Sequence, residues 1–350
     1  MTRKLTRRSF IKLGTISLVG LAAAGRVPRK PAPLGPQEDP PHRWGRVVAD
    51  YVGLRSRPSP EGKFLGFLYY DDVIPVYREV VGQGWFPHNH VWFETPDGLA
   101  YSASVQPVEN VQNEPNKEIP SQGIFGEISI PYTDARAAPG TDGEITHRLY
   151  YSSTFLVDNA VKSPDGTCWY HIHDDANTTL WIEAHAVRMI LPTDIAPLAP
   201  DADDKHIQVD LELQSLSAFE GRSEVFRTSI SSGRGFVRDG SWVQAQSTPV
   251  TNSPIWSKRI TRHMQGGTWS AGWDLPGVSW VSYFASNGAA IHGTYWHNNF
   301  GLTQSAGCIN CTPEAARWLF RWTAPVVYYL PGHVTEKWPG GTRVNIISET

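Results

Sequence analysis

The chain has 350 residues, 40% of them hydrophobic, which is ample for two or three packed domains and predicts a globular protein. Its 14 Trp, 31 Gly and 27 Pro favour many short strands and turns over long helices, so the expected class is mainly β. With 31 Lys and Arg against 34 Asp and Glu, the net charge of −3 argues against nucleic acid as a partner.

Residues 1–25 carry an address. Arg3, Lys4, Arg7, Arg8 and Lys12 precede an uncharged run from Leu13 to Gly25, and Ala22-Ala23-Ala24 offers a small-residue cleavage site. The run is too short for a comfortable membrane span. Thr6-Arg7-Arg8-Ser9-Phe10-Ile11-Lys12 resembles the twin-arginine export signal, which implies export of the folded chain to the cell envelope, either cleaved or tethered at its N-terminus. Five basic residues and no acidic ones precede Gly25, so the exported chain carries −8 and has no basic surface for anionic lipid.

Residues 26–45 are a Pro-rich linker, with Pro28, Pro31, Pro33, Pro36, Pro40 and Pro41 predicting a stiff extended tether. Two modules of similar pattern come next, at 46–108 and 126–191, with a linker at 109–125. The first holds Val48, Leu54-Arg55, Pro58, Phe67-Leu68-Tyr69-Tyr70 and Trp85. The second holds Ile128, Ala135-Arg136, Pro139, Arg148-Leu149-Tyr150-Tyr151 and Trp169. Short alternating runs between Pro, Gly and Asp turns predict small β-barrels. Both modules resemble bacterial SH3-like domains, which implies either wall-peptide binding or a spacer role. Each carries a His-x-His pair, His88 with His90 and His171 with His173. Two ligands do not make a metal site, and histidines on a sheet surface are the expected reading.

Residues 192–204 form a linker into a last domain at 205–350. His206 to Leu213 alternates apolar and polar as a half-buried strand does, and Val225 to Ile230 continues the pattern before a turn at Ser232-Gly233. Thr248-Pro249 and the aromatic stretch of Trp269, Trp273 and Trp280 are expected as walls of a groove. The chemistry concentrates between Ala290 and Arg317. Cys308 lies just before Thr312 and Pro313, the expected N-cap and N1 of one late helix whose buried face is Ala315, Trp318, Leu319 and Trp322. A thiol attacks as thiolate, so it needs a base or an electropositive backbone. His292 is the candidate base. The helix start and the backbone turn at Gly307 offer N–H groups for an anion or oxyanion.

The order His292-Gly293-Thr294, then Ser305-Ala306-Gly307-Cys308-Ile309-Asn310, resembles the signature of L,D-transpeptidases with a YkuD-type catalytic domain. The resemblance runs over roughly residues 205 to 347 and includes the closing Gly341-Thr342-Arg343-Val344-Asn345-Ile346. It implies a β-rich catalytic domain with one late helix, Cys308 as nucleophile, His292 as proton acceptor and donor, and an oxyanion site around Gly307 and Cys308. Ser305 and Asn310 would fix the loop, with Gly293, Thr294, Trp296 and His297 at the substrate groove. It further implies peptidoglycan stem peptides as donor and acceptor, a thioester intermediate, carbapenem-type β-lactams as inhibitors, and no metal or organic cofactor. The family usually has histidine where this chain has Ala306.

Two other readings stay open. One is a non-catalytic peptidoglycan-binding envelope protein. The other takes Cys308-x-x-Cys311 as half of a zinc site completed by His292 and His297, or as a disulfide that silences the thiol.

Overall fold

The computed structural model describes residues 43–348 apart from 177, 235, 239–240, 244–246 and 269–270. The expected signal segment, nearly all of the Pro-rich linker, and Trp269 lie outside the described residues. The described chain is mainly β, with 27 strands and one α-helix. It divides into two compact units. The first comprises residues 1–110, 263–276 and 296–298, and the second 111–262, 277–295 and 299–350.

In the first unit, β1 (Arg43–Val47), β4 (Val73–Val76) and β8 (Val105–Val108) form a three-stranded antiparallel sheet in the order β4-β1-β8. A five-stranded sheet runs β3 (Phe64–Tyr69), β2 (Tyr51–Arg55), β7 (Gly98–Tyr101), β6 (Asn89–Thr95), β5 (Arg78–Phe86). Inward-facing residues of both sheets, among them Val47, Leu54, Val76, Phe93 and Val105, share one core. The hydrogen-bonded strands leave two open sheets where a closed barrel was expected, because the chain leaves β4 at Tyr77 and enters the other sheet on β5.

The second unit opens with seven antiparallel strands in the order β11-β10-β14-β13-β12-β9-β15. They are β9 (Ile124–Ile128), β10 (Tyr132–Arg136), β11 (Ile145–Tyr150), β12 (Thr154–Lys162), β13 (Cys168–His173), β14 (Thr179–Glu183) and β15 (Val187–Met189). This sheet too is open. The repeat suggested by sequence has matching backbone detail. Ser56 N donates to Lys63 O as Ala137 N does to Glu144 O, and Asp71 N to Val47 O as Ser152 N does to Ile128 O. One pairing needs correction: the counterpart of Trp169 is Trp92, not Trp85. Val80 opposes Trp92 as Val161 opposes Trp169, and both indoles are fully buried. The His-x-His pairs are therefore not equivalent. His171 and His173 flank Asp158, at 2.7 and 3.6 Å, while His90 Nδ1 lies 3.2 Å from Gly82 O. No cluster of three or more metal-ligating side chains is placed to hold an ion among the described residues.

Two sheets and a helix make up the rest. One sheet is β18-β17-β16-β27-β21, from β16 (Lys205–Asp210), β17 (Ser215–Glu220), β18 (Ser223–Ser229), β21 (Asn252–Pro254) and β27 (Arg343–Ile347). A small hairpin joins β19 (Phe236–Arg238) to β20 (Ser241–Val243). The other sheet is β25-β24-β23-β22-β26, from β22 (Ser257–Thr268), β23 (Ala271–Tyr283), β24 (Ala290–Gly293), β25 (Ile309–Cys311) and β26 (His333–Thr335). The helix α1 (Pro313–Trp322) comes directly after β25. Ile207, Val209, Ile291, Ile309, Leu319 and Phe320 meet in one core, which Phe125 of the seven-stranded sheet and Ile190 just after it join. The first strand stops at Asp210, short of the expected Leu213, because Asp210 Oδ1 accepts from the Glu212 and Leu213 N–H groups and bends the chain into a turn. Trp280, expected at a groove wall, is 1% exposed and packs edge-on to Phe320 at 5.4 Å, so it is a core residue. Trp273 belongs to the first unit, where its ring packs over Gly266.

Candidate active site

The site grows from the parallel pairing of β24 and β25, in which Ile291 faces Ile309, His292 faces Asn310 and Gly293 faces Cys311. Alternation on paired strands puts His292 and Asn310 on one face and Ile309 and Cys311 on the other. Ile309 and Cys311 sit in the hydrophobic core, and burial pushes the Cys311 thiol up to about 12. Cys308 lies in the bend directly before β25, where the Ala290 backbone hydrogen-bonds its sulfur. The zinc and disulfide readings both need Cys308 and Cys311 to converge. Cys311 instead points into the core, on the face opposite His292, and all three cysteines are free.

The helix start just beyond Cys308 helps to hold it in place. Thr312 Oγ1 accepts from Ala315 N at 3.2 Å and Pro313 takes the first helical position, as the sequence predicts. The buried face of α1 comprises Pro313, Ala315, Ala316, Leu319, Phe320 and Trp322. Trp318 is only half-buried, stacked on Phe226 at 4.2 Å. Glycine is needed at 293 because a Cβ there would come 2.6 Å from Ser279 Oγ and 3.4 Å from Pro313 Cα. Gly307 has φ 122°, a conformation that a side chain disfavours.

The loop before the nucleophile is tied on every side. Ser305 Oγ donates to Cys308 O at 2.6 Å and accepts from Gly307 N at 3.0 Å. Ser231 and Asn310 exchange both backbone hydrogen bonds, and Ser305 N donates to Ser232 O. Thr248 Oγ1 accepts from Gly233 N at 2.8 Å and donates to Gly307 O at 3.0 Å. Gln214 grips the same segment, its Oε1 accepting from Ser232 N and its Nε2 donating to Ser232 Oγ. Sequence reasoning named Ser232, Gly233 and Thr248 only as turn and wall, and missed Gln214 and Ser231 as braces. The one signal for Gln214 was a polar residue between apolar strands.

His292 is buried, and its Nδ1 lies 3.0 Å from Gly293 O, so Nδ1 carries the proton and Nε2 is the basic nitrogen. Burial lowers its pKa to about 4, and burial raises the half-buried Cys308 thiol to about 11. The resting pair is therefore neutral thiol and neutral imidazole. Thr294 is buried next to His292 and Gly293, and its Oγ1 has no hydrogen-bond partner among the described residues. Trp296 and His297 are half-buried members of the first unit, where Asn298 Nδ2 donates to the carbonyls of Ser102 and Val105 at 2.9 Å each.

A resting neutral pair has a direct signature. Alkylation of Cys308 by iodoacetamide, read out by peptide mass, is expected to climb with pH toward about 11, with no plateau near neutrality. A plateau reached by pH 7 would mean a preformed thiolate–imidazolium pair.

Residues 204–346 match the family model described as the L,D-transpeptidase catalytic domain. No curated protein matches the chain. Among solved structures, an Enterococcus faecium L,D-transpeptidase C442S mutant shares 22% identity, over 42% of this chain and 51% of that one, with a TM-score of 0.31. The catalytic domain of the E. faecium L,D-transpeptidase shares 25%, over 41% of this chain and 98% of that one, at 0.30. L,D-transpeptidase 3 from Mycobacterium tuberculosis, solved with a faropenem-derived adduct, shares 13%, over 55% and 90%, at 0.31. The chain thus spans about half the length of the first of these, and superposition this loose adds nothing to the family match.

Proposed function

We propose, taking residues 204–346 as an L,D-transpeptidase catalytic domain, that the chain is a cysteine-dependent enzyme that cross-links or remodels peptidoglycan. The observation that supports this reading is the β24–β25 pairing inside the matched region, which brings the His292 strand beside the strand that opens directly after Cys308, whose sulfur the Ala290 backbone hydrogen-bonds. Cys308 Sγ attacks the carbonyl of the third stem residue. The S–C bond forms, the C–N bond to the terminal D-alanine breaks, and His292 Nε2 passes the thiol proton to the leaving amine. An acceptor amine then attacks the thioester carbon, the S–C bond breaks, and the amine proton returns through His292 to sulfur.

The pKa values constrain the timing. Burial raises the thiol and lowers the imidazole, so proton transfer between them in the resting site is uphill. Transfer therefore accompanies S–C bond formation, or comes after displacement of water by the substrate. With the Gly307 N–H engaged by Ser305 Oγ, the Cys308 N–H is the backbone donor assigned to the oxyanion. Asn310 and Ser305 hold the loop, and Thr294 contributes a hydroxyl at the groove. Nothing in this scheme calls on a metal or cofactor. The signal at residues 1–25 would place the enzyme outside the cytoplasm, with SH3-like modules between the export site and the catalytic domain.

The test is intact-protein mass after exposure to a carbapenem. A single adduct that maps to Cys308 is the expected result, and reduced protein that stays unmodified would overturn the reading. A second prediction concerns the departure from the family pattern. Ala306 is half-buried, on a loop held through its neighbours Ser305 and Gly307. Ala306→His is therefore expected to leave the acylation rate unchanged or raise it, and a large loss would mean a loop built on different lines.

A further inference from the structure

The loop that joins His292 to Cys308 runs over residues 294–299 with neither helix nor strand, and side chains grip it. Tyr295 makes the first grip. It is 1% exposed, and its ring stacks on Tyr150 of the second module with centroids 5.7 Å apart and planes inclined by 21°. Asn298 makes the second. Its Nδ2 gives one hydrogen to Ser102 O and the other to Val105 O, at 2.9 Å each. These acceptors are rigid, because they bracket the 3₁₀ turn Ser102–Ser104, which links β7 to β8 and so ties the two sheets of the first module together. Both residues are buried. Residues 296–298 accordingly cluster with the first unit, although the chain on either side of them belongs to the second. Beyond Asn298, Ser231 Oγ donates to Asn299 O at 3.2 Å and Gly301 N donates to Ile230 O.

The repeat supplies an internal comparison. In the second module the matching turn is Ala184–Ala186, closed by Val187 N to Ala184 O as the first is closed by Val105 N to Ser102 O. Its amide is local. Asn113, in the linker just before the module, gives Nδ2 to Ser129 Oγ at 2.7 Å and lies 3.3 Å from His185 O. Each turn is thus served by one asparagine, and only the first module takes its asparagine from the loop between base and nucleophile.

We propose that Asn298 is a positioning residue for the acyl transfer, and that through its two amide N–H groups the first module fixes the loop between His292 and Cys308. The inference rests on the transpeptidase reading and gives the first module a part in the reaction that needs no ligand of its own. The cause is geometric. An amide with both hydrogens committed to backbone carbonyls cannot turn or slide without breaking a bond, so residue 298 is fixed to the module's core. Tyr295 fixes the other end of the span, with Trp296 and His297 held between. Because the loop leaves the chain just after His292-Gly293 and returns to it at Ser305, it borders both reacting groups. Release of one end lets the span shift, and a displacement of about 1 Å beside a reacting centre costs roughly 10² in rate. His292 and Cys308 stay in place, since the β24–β25 pairing and the Ser305 bonds do not involve Asn298.

The experiment follows carbapenem acylation of the full chain by quenched mass spectrometry over a range of carbapenem concentrations, which separates the limiting rate from the half-saturating concentration. Asn298→Ala is expected to lower the limiting rate by about tenfold or more, as loss of two hydrogen bonds that hold a reacting geometry does, and to leave half-saturation unchanged. Alkylation of Cys308 by iodoacetamide should proceed as in the wild type. Asn298→Gln, which restores the amide, should recover part of the rate. Asn298→Asp keeps the shape but, once ionised, has no hydrogen to donate, so at neutral pH it should lose at least as much as Asn298→Ala. If Asn298→Ala does not fold, the contrast between the Gln and Asp variants decides. Asn113→Ala, which releases the matching turn of the second module, should leave both parameters as they are. An unchanged limiting rate in Asn298→Ala, a change confined to half-saturation, equal rates in the Gln and Asp variants, or an equal loss in Asn113→Ala would each overturn the proposal. Wild-type protein that is never acylated would overturn the transpeptidase reading itself, so the two failures are told apart.

Discussion

Cys308→Ala is expected to abolish both the carbapenem adduct and formation of any cross-linked product, and His292→Ala to lower the acylation rate by about 10²–10⁴-fold, the usual range for loss of a positioned general base. The two losses differ in kind. Without sulfur there is no covalent intermediate, so the first is complete. Without His292 the thiol must lose its proton to water, and with a pKa near 11 only about one site in 10⁴ is thiolate at pH 7. The defect of His292→Ala should therefore shrink as pH rises, since added hydroxide replaces the base. The double variant should be no worse than Cys308→Ala, because the residues act as one unit. Single-turnover acylation across pH 6 to 10 would check all of this. Cross-linking retained by Cys308→Ala, or a His292→Ala defect constant with pH, would refute the assigned roles.

How much of this was legible in the sequence depends on the range of the interaction. The α1 start was legible because Thr312, Pro313 and the apolar spacing after them are local signals. His292 and Cys308 stand out in the sequence because each is set beside a glycine. What brings their segments together, however, is the parallel register of β24 with β25, set by Ile291 and Ile309 packing into a common core. Nothing local specifies it. The same holds for Gln214, whose contacts to Ser232 bridge 18 residues, and for Thr248, which reaches Gly307 across 59. Trp280 was misplaced because nothing in its aromatic stretch of sequence marks the helix that covers it. Burial of His292 and Cys308 is likewise invisible in the sequence, whereas the helix start is not.

Lys258→Met is expected to destabilise the protein by about 4 kcal/mol, an effect on stability as large as any single substitution outside the core aromatics. Lys258 is 1% exposed, and burial holds its pKa well below the ordinary value. Its Nζ donates to Phe320 O at 2.5 Å and Thr323 O at 2.7 Å, and it lies 4.6 Å from the Phe320 ring centroid. No carboxylate pairs with it among the described residues, so its role is to supply donors to the end of α1. The carbonyl account there closes: Leu319 O accepts from the Thr323 N–H and hydroxyl, Phe320 O and Thr323 O from Lys258, Arg321 O from the Leu198 N–H, and Trp322 O from Lys205. Methionine keeps the aliphatic packing and leaves two buried carbonyls unpaired, at roughly 1–3 kcal/mol each. Lys205→Met should cost less than about 1 kcal/mol, because Lys205 is only half-buried and water can replace it. Urea denaturation of the two variants separates the cases. A Lys258→Met loss no larger than that of Lys205→Met would mean that packing, not capping, holds this helix end. Because α1 packs on β24 and β25, the same variant should also slow acylation at temperatures where the wild type is still folded.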